Sequence, residues 1–196
     1  MQDARVGKWA QESHLSPDML RSLRDLNHRF LDLAAARNEW AAIDVAPLSA
    51  AQRAAAAACP YALFDLRFAD AVHWQACLQN CASWQVADEF RADDATIGFV
   101  RLALFFAWHV ASNAGIAAQL LLGMNLNTAA AFRRITVNRL PALVVSEAPN
   151  LSARFGGCAP YWRGLVAAAA RTDPRALRRV QLYGLQLAAA SRLAEP

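Results

Sequence analysis

With 196 residues, 56% of them hydrophobic and 18% charged, the chain is too apolar for a disordered segment and long enough to bury one sizeable core. Its net charge of +4 is unevenly spread: residues 1–60 balance, residues 61–113 hold six acids against three bases, and residues 114–196 hold ten bases against three acids. The apolar excess favours self-association, so a homodimer is expected, and the basic C-terminal segment is either a solvated helix face or a surface for an anionic partner.

Residues 1–15 have no periodic pattern and are expected to be loosely ordered at the edge of a single helical domain spanning 1–196. The opening MQDARVGKW lacks the charged-then-apolar order of a secretory signal, which points to a cytoplasmic protein. Ser16-Pro17-Asp18 is a helix start: a side-chain cap, a proline in the first turn and an acid at the positive dipole end. Met19, Leu23, Leu26, Phe30 and Leu33 then recur at heptad spacing, either as the inner face of a core helix or as the seam of a dimer. Ser49 to Gln52 has the form of a capping box before a short alanine-rich helix that stops at Cys59-Pro60.

YALFDLRF, 61–68, alternates like a strand, but no partner strand is evident, so it is read as the beginning of a helix continuing through Trp74, Cys77, Leu78 and Cys81. His73, Cys77 and Cys81 repeat every four residues, which puts all three on one helical face. A closed zinc site needs a fourth ligand and no C-x-x-C knuckle is present, so the thiols are read as buried core residues and no metal or cofactor is assigned.

The acids Asp88, Glu89, Asp93 and Asp94 precede the most apolar stretch of the chain, and Asp93 or Asp94 is expected to cap it. Residues 95–122 are read as one buried central helix around which the others pack. It is long enough to span a membrane, but Arg101, His109, Asn113 and Gln119 lie along it and no second span exists, so no membrane role is expected. Arg101, His109, Ser112 and Asn113 share one narrow polar stripe of that helix, either a ligand pocket or a satisfied network in the core.

Gly123 is the C-cap of the central helix. Helices are expected over about 126–134 and 138–148, the second capped by Asn138 and ended by Pro149-Asn150. Gly156-Gly157 is a turn, and further helices begin at Pro160 and at Thr172-Asp173-Pro174. Ala130, Ile135, Val137, Leu140 and Leu143 fall where two short helices would bury them against a third. Arg133, Arg134 and Arg139 remain outside as candidate nucleic-acid contacts, a helix-turn-helix in outline without its glycine turn. The sequence holds no G-x-S-x-G elbow, phosphate loop, dinucleotide fingerprint or H-E-x-x-H pair, so an enzyme is the less favoured reading.

The segment LLLGMNLNTAAAFRRITVNRLPALVVSEAPNLSARF, 120–155, resembles the C-terminal half of FlhD, the D subunit of the flagellar master transcriptional activator. The likeness rests on Leu122-Gly123, the alanine-bearing helix, Leu140-Pro141, Ala148, Leu151 and Arg154-Phe155. Residues 19–34 are similar to that family's first helix at Asp25, Asn27, Leu31, Leu33 and Ala34. The resemblance implies an all-α homodimer that regulates transcription together with a partner subunit and DNA. The long intervening segment and two extra C-terminal helices depart from that pattern. The combined expectation is an all-α, non-enzymatic regulatory or interaction protein. Its alternative is a helical ligand-binding protein or enzyme with a pocket at Arg101, His109 and Asn113.

Overall fold

A computed structural model describes residues 15–37, 40, 43–80 and 94–193. Cys81, Asp88, Glu89 and Asp93, and most of the N-terminal segment, lie outside the described residues. The chain is all-α. Helix α1 (Pro17–Ala35) starts as its sequence dictates, with the Asp18 N–H donating to Ser16 Oγ at 3.2 Å. Helix α2 (Ala50–Ala56) carries the full capping box, Ser49 and Gln52 each accepting from the other's backbone N–H.

The heptad face of α1 is filled from within the chain. Leu23 and Phe30 are completely buried and Leu26 nearly so, while Met19 and Leu33 are partly buried against the same core. The Phe30 ring sits 5.9 Å from that of Phe99 and 6.2 Å from that of Phe64. Met19, Leu23, Leu26, Phe30 and Leu33 are thus core residues, and the dimer-seam expectation is corrected, because a seam needs this face to be open.

Residues 61–68 are not helical, contrary to the expectation. Phe64–Asp65 (β1) pairs antiparallel with Ser152–Ala153 (β2), Phe64 opposite Ala153. Helix α3 (Ala71–Asn80) begins only after Asp70, whose Oδ1 accepts from the His73 N–H at 2.9 Å. That bond, followed by the Arg67 guanidinium at 2.6 Å, holds the Asp70 carboxyl below its usual range.

The expected central helix 95–122 is two helices. Helix α4 (Asp94–Asn113) and helix α5 (Gly115–Leu122) meet at Ala114, whose φ of −153° and ψ of 84° are not helical. Helix α4 is the hub: it packs against α1, against α5, and against α6 (Leu126–Phe132) and α7 (Leu140–Glu147), introduced by the 3-10 turn Val137–Arg139. It is long and apolar enough to cross a membrane, with a mean hydropathy of 1.4, and half of that window is buried inside the fold. Gly123 ends α5 in the left-handed conformation, φ 73°, where an L side chain would be strained and a Cβ would come within 2.6 Å of the Arg154 guanidinium. Asn125, whose Oδ1 accepts from the Thr128 N–H at 2.9 Å, caps α6. Helix α7 starts at Leu140 without the side-chain cap assigned to Asn138, and a second 3-10 turn, Ala148–Asn150, follows it. Helices α8 (Ala159–Ala170) and α9 (Pro174–Leu193) pack on each other, with Asp173 Oδ1 accepting from the N–H groups of Arg175 and Ala176.

Candidate functional site

The polar stripe of α4 is its wet face. Arg101, His109, Ser112 and Asn113 are all exposed, beside the exposed Leu102, while the opposite side of the helix buries Phe99, Val100, Ala103, Leu104 and Ala107. Asn113 Nδ2 donates to the His109 carbonyl at 2.8 Å and lies 3.2 Å from His109 Nδ1, in solvent rather than in a dry interior. The four residues are therefore exposed and not a satisfied network in the core, and that half of the reading is corrected. The error came from treating near-continuous hydropathy as burial on all sides.

Arg133, Arg134 and Arg139 are exposed at the end of α6 and on the turn that leads to α7. Among the described residues they form no ion pair. Arg134 and Arg139 share a cleft of about 250 Å³ with Gln75, Leu78 and Gln79 of α3 and with Ala131 and Ile135. Two cations and two carboxamides thus line one depression. Helix α7 is unlike a recognition helix, because Leu140, Leu143, Val144 and Glu147 are buried and Pro141 is its most open residue. It presents no exposed polar residue that reaches outward to base edges, so residues 126–147 form an ordinary helical hairpin.

On the side of α3 away from Gln75 and Gln79 lie His73 and Cys77. Glu147, the last residue of α7 and only 1% exposed, meets them there. Glu147 Oε2 is 2.9 Å from His73 Nε2 and accepts from Asn150 Nδ2 at 3.0 Å. Its Oε1 accepts from Cys77 Sγ and from Ser146 Oγ, each at 3.4 Å. Cys77 Sγ is 3.5 Å from His73 Nε2 and 3.9 Å from Nδ1. A nucleophilic thiol triad uses opposite ring nitrogens, one toward the nucleophile and one toward the acid. Here Nε2 is nearest to both, so the arrangement converges on one point instead of relaying a proton. The sequence pairing of His73 with Cys77 was sound, but Glu147 was missed. A signal existed: it is the only acid between Asp94 and Asp173.

A second buried cluster escaped notice too. Tyr161 Oη donates to Tyr61 Oη at 3.2 Å and lies 4.0 Å from Cys59 Sγ. Burial pushes the Cys59 thiol up to about 12 and raises both tyrosines well above their ordinary range. A thiol that keeps its proton is no nucleophile at neutral pH, so this cluster is structural. Arg154, from the Arg-Phe pair of the family resemblance, is also internal: it donates to the Leu121 carbonyl at 3.0 Å and stacks over the Phe155 ring at 5.0 Å.

Compared with protein-family models, with curated proteins and with solved structures, the chain matches none.

Proposed function

We propose that this is a non-enzymatic regulatory protein that works by binding, and that its α6–α7 arginine face touches the phosphate backbone of duplex DNA alongside a partner subunit. The observation that carries this reading is the cleft between α3 and the hairpin. There the exposed guanidiniums of Arg134 and Arg139 stand together with Gln75 and Gln79, with Arg133 beside them and no ion pair to neutralise them among the described residues. Guanidiniums and carboxamides are donors suited to phosphate oxygens. The burial of α7 leaves base reading to the partner, in keeping with the FlhD-like resemblance. Self-association is part of the same reading and draws on surface away from α1, where Val72, Leu102, Ile116, Leu126 and Leu182 remain exposed.

Fluorescence anisotropy with a labelled duplex, across a salt series, tests the proposal. Affinity is expected to fall steeply with salt, because each neutralised phosphate releases counterions. Replacing Arg133, Arg134 and Arg139 together by Ala is expected to flatten the slope by about one unit per lost contact, with the helical circular dichroism unchanged. Absence of binding at low salt, with and without host extract, defeats the proposal. So does binding indifferent to the triple substitution.

A further inference from the structure

Independently of the DNA reading, His73, Cys77 and Glu147 meet in the interior with their ligand atoms all within 4.8 Å of one another. The spacing is that of a coordination shell. Zinc bonds of about 2.3 Å to sulfur and about 2.0–2.1 Å to nitrogen and oxygen, at tetrahedral angles, place S and N roughly 3.5 Å apart, S and O roughly 3.5 Å and N and O roughly 3.3 Å. The structure has Sγ–Nε2 at 3.5 Å, Sγ–Oε1 at 3.4 Å and Nε2–Oε2 at 2.9 Å. The last two edges run to different oxygens of Glu147, so the carboxylate must turn to bring one oxygen to both Sγ and Nε2 when these hydrogen bonds are replaced by metal bonds.

We propose that His73 Nε2, Cys77 Sγ and one carboxylate oxygen of Glu147 hold a single zinc-class divalent cation that ties α3 to α7. Charge favours it: a thiolate and a carboxylate cancel a dipositive ion, so the loaded site is neutral in a place where Glu147 is 1% and Cys77 7% exposed. On binding, the thiol proton leaves to solvent, and the imidazole proton that Nε2 donates to Glu147 is given up there and carried on Nδ1, which frees the Nε2 lone pair for the metal. The donor set selects the metal. One sulfur, one nitrogen and one oxygen suit a borderline ion such as Zn²⁺, whereas Mg²⁺ and Ca²⁺ ask for oxygens throughout. Asn150 Nδ2 and Ser146 Oγ already orient the carboxylate, and the Trp74 ring stands edge-on to the imidazole with centroids 5.5 Å apart. The partly exposed edge of His73, whose side chain is 16% accessible, admits water as the fourth ligand. Three protein ligands and one water mark an exchangeable site, not a closed structural one.

The test uses the full chain, stripped with chelator under reducing conditions. Titration with Zn²⁺ against a chromogenic chelator is expected to show one tight equivalent per chain. Co²⁺ is expected to give a thiolate charge-transfer band in the near ultraviolet and the intense visible bands of a tetrahedral ion. Cys77→Ser is expected to abolish the charge-transfer band, and both Cys77→Ser and His73→Ala to weaken Zn²⁺ by more than about 100-fold, beyond the usual effect of second-shell partners. Cys158→Ser, outside the cluster, is expected to titrate like the parent. A parent that takes up no Zn²⁺, a cobalt spectrum without the thiolate band, or a Cys77→Ser variant that binds like the parent overturns the proposal. Where a variant loses its helical circular dichroism, the cobalt spectrum of the parent decides.

Discussion

The carboxamide of Asn27 fixes the path of a segment more than thirty residues away. It is fully buried on α1, its Nδ2 donates to the Tyr61 carbonyl at 2.9 Å and faces those of Ala57 and Cys59, and its Oδ1 accepts from the Leu63 N–H at 2.8 Å. Asn27→Leu keeps the size and strands these groups without partners in a dry interior. A loss of about 3 kcal/mol or more in urea unfolding is expected, since each orphaned buried group costs about 1–3 kcal/mol. No local pattern reveals this bond: the sequence marks Asn27 only through a family likeness, because its partners are distant in the chain. Cys59 yields a pH prediction at the same scale. Folded, the thiol holds its proton up to about 12; unfolded, it releases it near the ordinary 9.0. Above pH 9 the unfolded chain therefore binds fewer protons, and stability that is complete below that point is lost as pH climbs through the window. The expected slope from this thiol is at most about 1.4 kcal/mol per pH unit, with Tyr61 and Tyr161 adding at still higher pH. Thermal melts of Cys59→Ala along the alkaline limb are expected to show a shallower decline than the parent.

Among elements, two helical glycines with opposite surroundings separate propensity from packing. Gly98, in α4, has nothing among the described residues within 4 Å of the place a Cβ would take, so Gly98→Ala is expected to stabilise by about 1 kcal/mol through helix propensity. Gly184, in α9, is buried, and its Cβ would stand 1.9 Å from Tyr61 Oη and 2.9 Å from Tyr161 Cε2. Gly184→Ala gains the same propensity yet is expected to destabilise by about 1–3 kcal/mol, because α9 must lift off the tyrosine pair. Paired chemical denaturation curves check both signs at once. Elements were legible where the signal is local: Ser16, the Ser49–Gln52 box, Gly123 and Asp173 all cap helices. They were illegible where the signal is not. The break at Ala114, just after Ser112-Asn113, lies within a run that stays apolar overall, so periodicity passes through it. The 61–68 segment alternates as a strand does, but its partner is the two-residue Ser152–Ala153, too short to announce itself.

For the whole molecule, recurring helix caps and helical periodicity foretold an all-helical fold built on an apolar hub, and the helices around α4 have that form. Hydropathy measured how apolar α4 is, not which of its faces is covered, and for that reason the Arg101–His109–Asn113 stripe was misread. The buried carboxylate of Glu147 was hidden because α3 and α7 come together only in the folded chain, with His73 and Glu147 separated by 74 positions. Phe64 and its neighbours carry the same lesson into time. Asn27 is synthesised before them, but the Leu121 carbonyl that accepts from the Ala62 N–H, Ala153 opposite Phe64, Tyr161 against Tyr61 and the Gln181 carbonyl bound by Tyr61 Oη all follow. On a translating ribosome, this stretch emerges with one side of its cradle made and the other unwritten, so the nascent chain carries an unfinished centre until α9 has left the tunnel.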